Sequence, residues 1–297
     1  MYPRAFRYHR AASLEEAAQL LTQLGEDAKA LAGGQSLIPL MKLRFSAPAH
    51  LVDLNFISGI NFIEKQGNAV RMGALARHAE LEHSAALSAI PLLRDCAAGI
   101  ADVQVRNRGT IGGSVAEADP SGDWGAALLT QSAEVVCVGP KGQRKIPIAE
   151  FFLDAYTSAL QPGELVREVV VQIPPPGSGG TYLALKRSAP VYASAAAAVQ
   201  LTMDGQTCKT ARVVLGCVGL TAIRATEAEA ALVGQAVNEK AMARAVEAAM
   251  AAADPQPDMR GSVDYKRALI GALVKRGVEV AVRRSRGEAV EVSHTYA

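Results

Sequence analysis

Three prolines followed at once by glycines and a serine, Pro174-Pro175-Pro176-Gly177-Ser178-Gly179-Gly180, constrain this chain more than any other feature of it. Proline has no backbone N–H and a fixed φ, so neither a helix nor an interior strand runs through the prolines, and the glycines behind them add freedom. A domain boundary is expected there. With 297 residues the chain is long enough for more than one core. The expected division is residues 1–55, 56–176 and 181–288.

Ahead of the break, Ser13 and Glu16 form a capping box that opens a helix with the apolar stripe Leu14, Ala17, Ala18, Leu21, Leu24. A short strand from Lys29 to Ala32, a helix from Leu37 to Lys42 and a strand over residues 50–54 complete a small α/β unit. Alternation on either side of Gly67-Asn68 predicts a hairpin. Helices are expected over 81–88, 92–98 and 124–131, and strands over 134–138 and 165–173. Behind the break, strands at 182–187, 193–203 and 210–219 precede helices at 224–232, 239–253 and 265–286. Strands and then helices in blocks predict an α+β domain with one sheet covered by helices.

Hydrophobic residues make up 49% of the chain and charged ones 20%, an ordinary globular balance, but aromatics are only 5%. The core must therefore be built from Ala, Val, Leu and Ile. The net charge is +2, and the one dense basic run, Arg283, Arg284 and Arg286, reads as a solvated helix end rather than a nucleic-acid surface. No apolar run reaches the ~18 residues of a membrane span, and the opening residues lack a secretory pattern, so a cytoplasmic location is expected. Cys96, Cys137, Cys208 and Cys217 are scattered, without a C-x-x-C pair, and read as small buried hydrophobes rather than ligands of zinc or an iron–sulfur cluster. His78 and His83, five apart, cannot share a helix face and read as surface residues.

No G-x-G-x-x-G, Walker A loop, H-E-x-x-H or G-x-S-x-G is present, so the chain's own side chains offer no familiar catalytic set. A bound cofactor that carries the chemistry is the remaining option. Two glycine segments suit one. Leu31-Ala32-Gly33-Gly34-Gln35-Ser36-Leu37 lies between a strand and a helix, where paired glycines reach φ > 0 and bring main-chain N–H groups close to an anion. Arg108-Gly109-Thr110-Ile111-Gly112-Gly113-Ser114 reads as a second such loop, followed by the polar, turn-rich stretch 116–123. One diphosphate held by both, in a crevice between two subdomains, explains the pair. A side chain at Gly33 or Gly113 would then occupy phosphate space.

These residues resemble the medium, FAD-binding subunit of carbon monoxide dehydrogenase and of related xanthine dehydrogenase-type molybdenum hydroxylases. The resemblance rests on residues 6–17, on Leu31–Leu37 running into Pro39-Leu40-Met41-Lys42, and on Thr110–Ser114 with Ala118-Asp119-Pro120-Ser121-Gly122-Asp123 behind it. It implies an α+β chain: a two-subdomain FAD-binding fold of the vanillyl-alcohol-oxidase type, then a C-terminal α+β domain. It assigns the FAD pyrophosphate to Leu31, Ala32, Gly33, Gly34, Gln35 and Ser36 together with Thr110, Ile111, Gly112, Gly113 and Ser114. Thr110 and Asp123 would reach the flavin or its ribityl chain, and Ile100 and Leu165 would make apolar contacts to the rings. Lys186 would lie near the flavin and Tyr192 against the isoalloxazine.

The resemblance further implies a large partner subunit with the molybdenum cofactor and a small one with [2Fe–2S] clusters, assembled as a heterotrimer. Electrons would pass through FAD on this chain to an external acceptor: NAD⁺, quinone or O₂. No catalytic acid, base or metal ligand is then required of this chain. A stand-alone FAD-dependent oxidase would need its own polar pocket over the ring. A non-catalytic assembly subunit would have no need of two intact glycine segments.

Overall fold

The computed structural model describes residues 2–292. Its first unit is a three-stranded parallel sheet in which His50–Asp53 lies between Arg7–Arg10 and Ala28–Leu31. Ser13 Oγ accepts from the Glu16 N–H at 3.1 Å, and the Glu16 carboxylate accepts from the Ala12 N–H at 2.7 Å, so the predicted capping box closes and starts the helix Leu14–Leu24. Leu14, Ala17 and Ala18 are its buried face. Because the strands are parallel, the carboxyl ends at Leu31 and Asp53 emerge on the same edge, the edge at which open α/β sheets bind ligands.

The second unit is a five-stranded antiparallel sheet in the order Ile63–Gln66, Ala69–Gly73, Leu165–Gln172, Glu134–Gly139, Gly142–Pro147. The helices Pro91–Gly99, Ile111–Glu117 and Asp123–Thr130 share its main core, in which Trp124, Ile111, Leu128 and Val169 are almost fully buried. The predicted helix over 81–88 is instead a helix at His78–His83 followed by a single 3-10 turn at Ala85–Leu87.

The third unit is the antiparallel sheet Ser178–Leu185, Ala195–Asp204, Thr207–Gly216, Ile223–Arg224. Its first strand starts inside the glycine run. Gly179 packs there so closely beneath the helix Val263–Ser285 that a Cβ would strike the Ala281 carbonyl. Those glycines serve layer packing as much as flexibility. The central strand alternates alanines between two cores. Ala196 and Ala198 face the main core of the second unit with Tyr182 and Val214, whereas Ala195 and Ala197 face the core under the helices Thr226–Leu232, Glu239–Ala252 and Val263–Ser285. A sheet buried on both faces reads as an unbroken apolar run, and small side chains let both layers approach closely.

The arginine run at the chain's end is not simply solvated. Arg284 has a side chain only 9% exposed and forks onto Asp95 at 2.5 and 3.1 Å, while also donating to the carbonyls of Gly180 and Val290. Asp95 also accepts from Thr181 Oγ1 at 2.8 Å. This pair locks the last helix to Pro91–Gly99 across the third sheet. A charge this buried is tolerated only because its donors are nearly all matched. Cys96, Cys137 and Cys208 are buried, as expected; Cys217 is half-buried, its thiol directed at the Ser121 carbonyl at 3.4 Å. No helix among the described residues is long and apolar enough to cross a membrane.

Candidate cofactor cleft

A cleft of about 710 Å³ opens between the three units, within the ~300–1,000 Å³ span of small-molecule and cofactor sites. Fourteen of the sixteen residues singled out from the sequence line it: Ala32, Gly33, Gly34, Gln35, Ser36, Ile100, Thr110, Gly112, Gly113, Ser114, Asp123, Leu165, Lys186 and Tyr192. Leu31 and Ile111 do not. Leu31 ends a strand and presents its carbonyl to the Leu54 N–H, and the Ile111 side chain is wholly buried in the main core.

The two glycine segments touch. A Cβ on Gly33 would lie 2.8 Å from Gly109 Cα and 3.0 Å from the Arg108 carbonyl carbon, and Gly113 faces Ala32 across the cleft floor. The first segment is a true loop with Gly34 at φ +74°, held by the Gly34 carbonyl accepting from the Ile38 N–H at 3.1 Å. Among the described residues the N–H groups of Gly33, Gly34, Gln35, Ser36 and Leu37 donate to no protein acceptor. A row of unpaired donors at the wall of a cleft suits an anion.

The second segment departs from expectation. It is not a loop but the first turn of the helix Ile111–Glu117, capped by Thr110 Oγ1 accepting from the Gly113 N–H at 3.1 Å. The N–H groups of Ile111 and Gly112 donate to the carbonyls of Ala76 and Ala74. Gly112 and Gly113 have ordinary helical backbone and serve proximity instead: a Cβ on Gly112 would come within 2.5 Å of the Ala74 methyl. A side chain at Gly113 would meet Thr110 Oγ1 at 2.8 Å and disturb the cap. For Gly33 the obstacle is likewise protein, the Arg108 carbonyl, rather than free phosphate space.

Deeper in the cleft, Lys186 is almost fully buried, its ammonium donating to the Gly99 carbonyl and lying 3.9 Å from an Asp123 oxygen. Tyr182 donates to the other Asp123 oxygen at 2.8 Å, and burial, followed by the Asp123 charge, pushes its phenol well above the usual range. Asp123 is the first residue of the helix Asp123–Thr130, after the Gly122 cap. Ile100 caps the C-terminal end of Pro91–Gly99, directly beside the Lys186 acceptor. Tyr192 is half exposed at the rim, with the Arg260 guanidinium 5.8 Å from its ring centre. Burial and then the hydrogen-bonded Asp119 beside it raise its phenol far above the ordinary value.

Several wall residues escaped the sequence reading. His78 is buried, not superficial: Trp124 Nε1 donates to its Nδ1 at 3.2 Å, and burial, then Arg77 and Arg106, depress its pKa to about 3. Lys29, Glu117, Asp119 and Tyr156 also line the cleft. Ala101 and Tyr156 adopt left-handed backbone, at φ +41° and +55°, and local strain of this sort gathers at ligand sites. These wall residues share no local signal: Lys29 lies inside the strand Ala28–Leu31, Glu117 ends the helix Ile111–Glu117, and Tyr156 sits between the short strands Phe152–Asp154 and Thr157–Ser158.

Comparison with known proteins follows the same lines. The FAD binding domain in molybdopterin dehydrogenase matches residues 4–176, and the CO dehydrogenase flavoprotein C-terminal domain matches residues 180–281. The carbon monoxide dehydrogenase medium chain of Afipia carboxidovorans is 41% identical over 287 residues, covering 96% of this chain and all of that one. The 6-hydroxypseudooxynicotine dehydrogenase complex subunit alpha of Paenarthrobacter nicotinovorans is 40% identical, covering 99% of this chain and all of its own. A solved carbon monoxide dehydrogenase from Hydrogenophaga pseudoflava superposes with a TM-score of 0.93 at 44% identity, over 96% of this chain and 99% of its own. With both parts matched and the likeness running end to end, the chain belongs to the FAD-binding medium-chain family of the molybdopterin dehydrogenases, with a C-terminal domain of the CO dehydrogenase flavoprotein type.

Proposed function

We propose that this chain holds FAD in the cleft and forms the electron exit of a molybdenum hydroxylase. Electrons arrive from [2Fe–2S] clusters on a small partner subunit, fed by a molybdenum centre on a large one, and leave to an external acceptor. The observation that carries the reading is the meeting of Gly33 with Arg108-Gly109 beside five unpaired N–H groups, at the wall of a cleft large enough for a dinucleotide. The diphosphate lies against residues 33–37, with Gly113 and Ser114 opposite. Residues 1–55 and 56–176 form the two halves of the cradle, and residues 181–288 close it with Lys186 and Tyr192. The assembly is a cytoplasmic heterotrimer.

FAD supplies one- and two-electron transfer when bound. The protein's part is placement and electrostatics. Ile100 and Leu165 would exclude water from the ring, and Lys186 would set its ammonium beside it. The Gly99 carbonyl and Asp123 hold that ammonium in place. The test is to purify the chain with its accompanying subunits. A full complement of FAD is expected. Removing the flavin should abolish acceptor reduction while substrate still reduces the iron–sulfur clusters. Acceptor reduction that persists without flavin would refute the reading.

A further inference from the structure

Asn55 and Arg77 stand behind the cleft and line no part of it, yet they join its two glycine segments. The Asn55 side-chain amide donates to the carbonyls of Ala32 at 2.8 Å and Leu31 at 3.4 Å, immediately before Gly33. Its amide oxygen accepts from Arg77 Nη2 at 2.6 Å. The other arm of the Arg77 fork, Nη1, donates to the Arg108 carbonyl, the group against which Gly33 packs. Backbone bonds fix Arg77 to the second segment as well: the His78 N–H donates to Gly109 and the Ile111 N–H to Ala76, both at 3.1 Å. On the far side, Asp53 accepts from the Asn55 amide at 2.6 Å, from its N–H at 2.8 Å and from Tyr8 Oη at 2.6 Å. The chain Tyr8–Asp53–Asn55–Arg77–Arg108 thus crosses from the parallel sheet to the antiparallel unit.

We infer that Arg77 and Asn55 are positioning residues whose forked link sets the spacing of the two glycine segments, and so the affinity of the cleft for a dinucleotide diphosphate. The inference rests on the reading of the cleft as an FAD site and names what tunes it. A planar fork suits the task, since it holds two acceptors at a fixed separation that a lysine cannot span. Such a link acts on the diphosphate and leaves the ring end of the cleft, at Ile100, Leu165 and Lys186, unchanged.

The test uses the chain in its complex with the accompanying subunits, stripped of flavin and titrated separately with FAD, ADP and riboflavin. Arg77→Met is expected to weaken FAD and ADP tenfold or more and to leave riboflavin within twofold. Asn55→Leu should give the same pattern, and the double variant should be no worse than either single one, because both break one link. Arg77→Lys should recover only part of the loss. Should Arg77→Met not assemble, Asn55→Ser, which shortens the same link, is read by the same ratio of ADP to riboflavin affinity. Unchanged ADP affinity, equal losses for ADP and riboflavin, or full recovery with Arg77→Lys would each overturn the inference. If the unaltered complex binds neither FAD nor ADP, the FAD reading itself has failed; if it binds both and Arg77→Met binds them equally well, only the link has.

Discussion

Replacing Gly33 with alanine is expected to cost FAD affinity far out of proportion to the single methyl added. The new Cβ would sit 2.8 Å from Gly109 Cα and 3.0 Å from the Arg108 carbonyl carbon, against a comfortable ~3.5–4.0 Å between carbons. Every obstacle is main chain, so no side chain can swing aside, and the two segments must part by about 1 Å. Opening by that much stretches the 2.8 Å bond from Asn55 to the Ala32 carbonyl beyond hydrogen-bonding range and pulls the Arg108 carbonyl from Arg77. One neutral and one charge-assisted bond amount to about 2–4 kcal/mol. The ligand must supply that energy to draw the segments back, which raises the FAD dissociation constant roughly 30- to 700-fold at 1.4 kcal/mol per tenfold. Flavin content of the purified complex and a fluorescence titration of the stripped complex measure it. Gly67→Ala is the control. Its Cβ has nothing within 4 Å, and the φ of +59° costs only local hairpin strain of about 1 kcal/mol, so flavin is retained. A Gly33→Ala complex that binds FAD within threefold of the unaltered one would refute the reasoning.

Lys186→Met should keep its flavin but lower the midpoint potential by about 30–60 mV, since removing a buried cation disfavours the reduced anion; spectroelectrochemistry reads the shift, and an unchanged potential counts against that role. Asp95→Ala leaves the Arg284 guanidinium buried without its carboxylate and should destabilise the protein by about 3–5 kcal/mol in urea unfolding, whereas a loss under 1 kcal/mol would show the pair to be incidental. His78 has a folded pKa of about 3, below its unfolded value, so the unfolded chain takes up a proton first as pH falls. Its contribution is complete above pH ~6.5 and declines by about 1.4 kcal/mol per unit as pH drops toward the folded pKa. His78→Asn, which keeps an acceptor for Trp124 Nε1, should flatten that slope in urea midpoints taken between pH 6.5 and 4.5.

What the sequence determined alone was local and chemical. The Ser13–Glu16 capping box, the break at Pro174–Pro176 and the hairpin turn at Gly67, which adopts φ +59°, depend on neighbours in the chain and were legible without any fold. Part of the cleft wall was legible too, because two glycine segments, each beside hydroxyl residues, pointed to one shared ligand. What only the tertiary structure decided was which group each residue meets. The second glycine segment starts a helix whose first N–H groups find acceptors at Ala74 and Ala76, just past a strand more than thirty residues earlier. His78 is buried because Trp124 comes to cover it, and Arg284 is buried because Asp95, 189 positions away, supplies the matching charge. Burial and ion pairing are set by long-range packing, whose partners no local spacing encodes. The link from Asn55 through Arg77 to Arg108 belongs to the same class: three unremarkable polar residues that acquire a shared task only where the first two units meet.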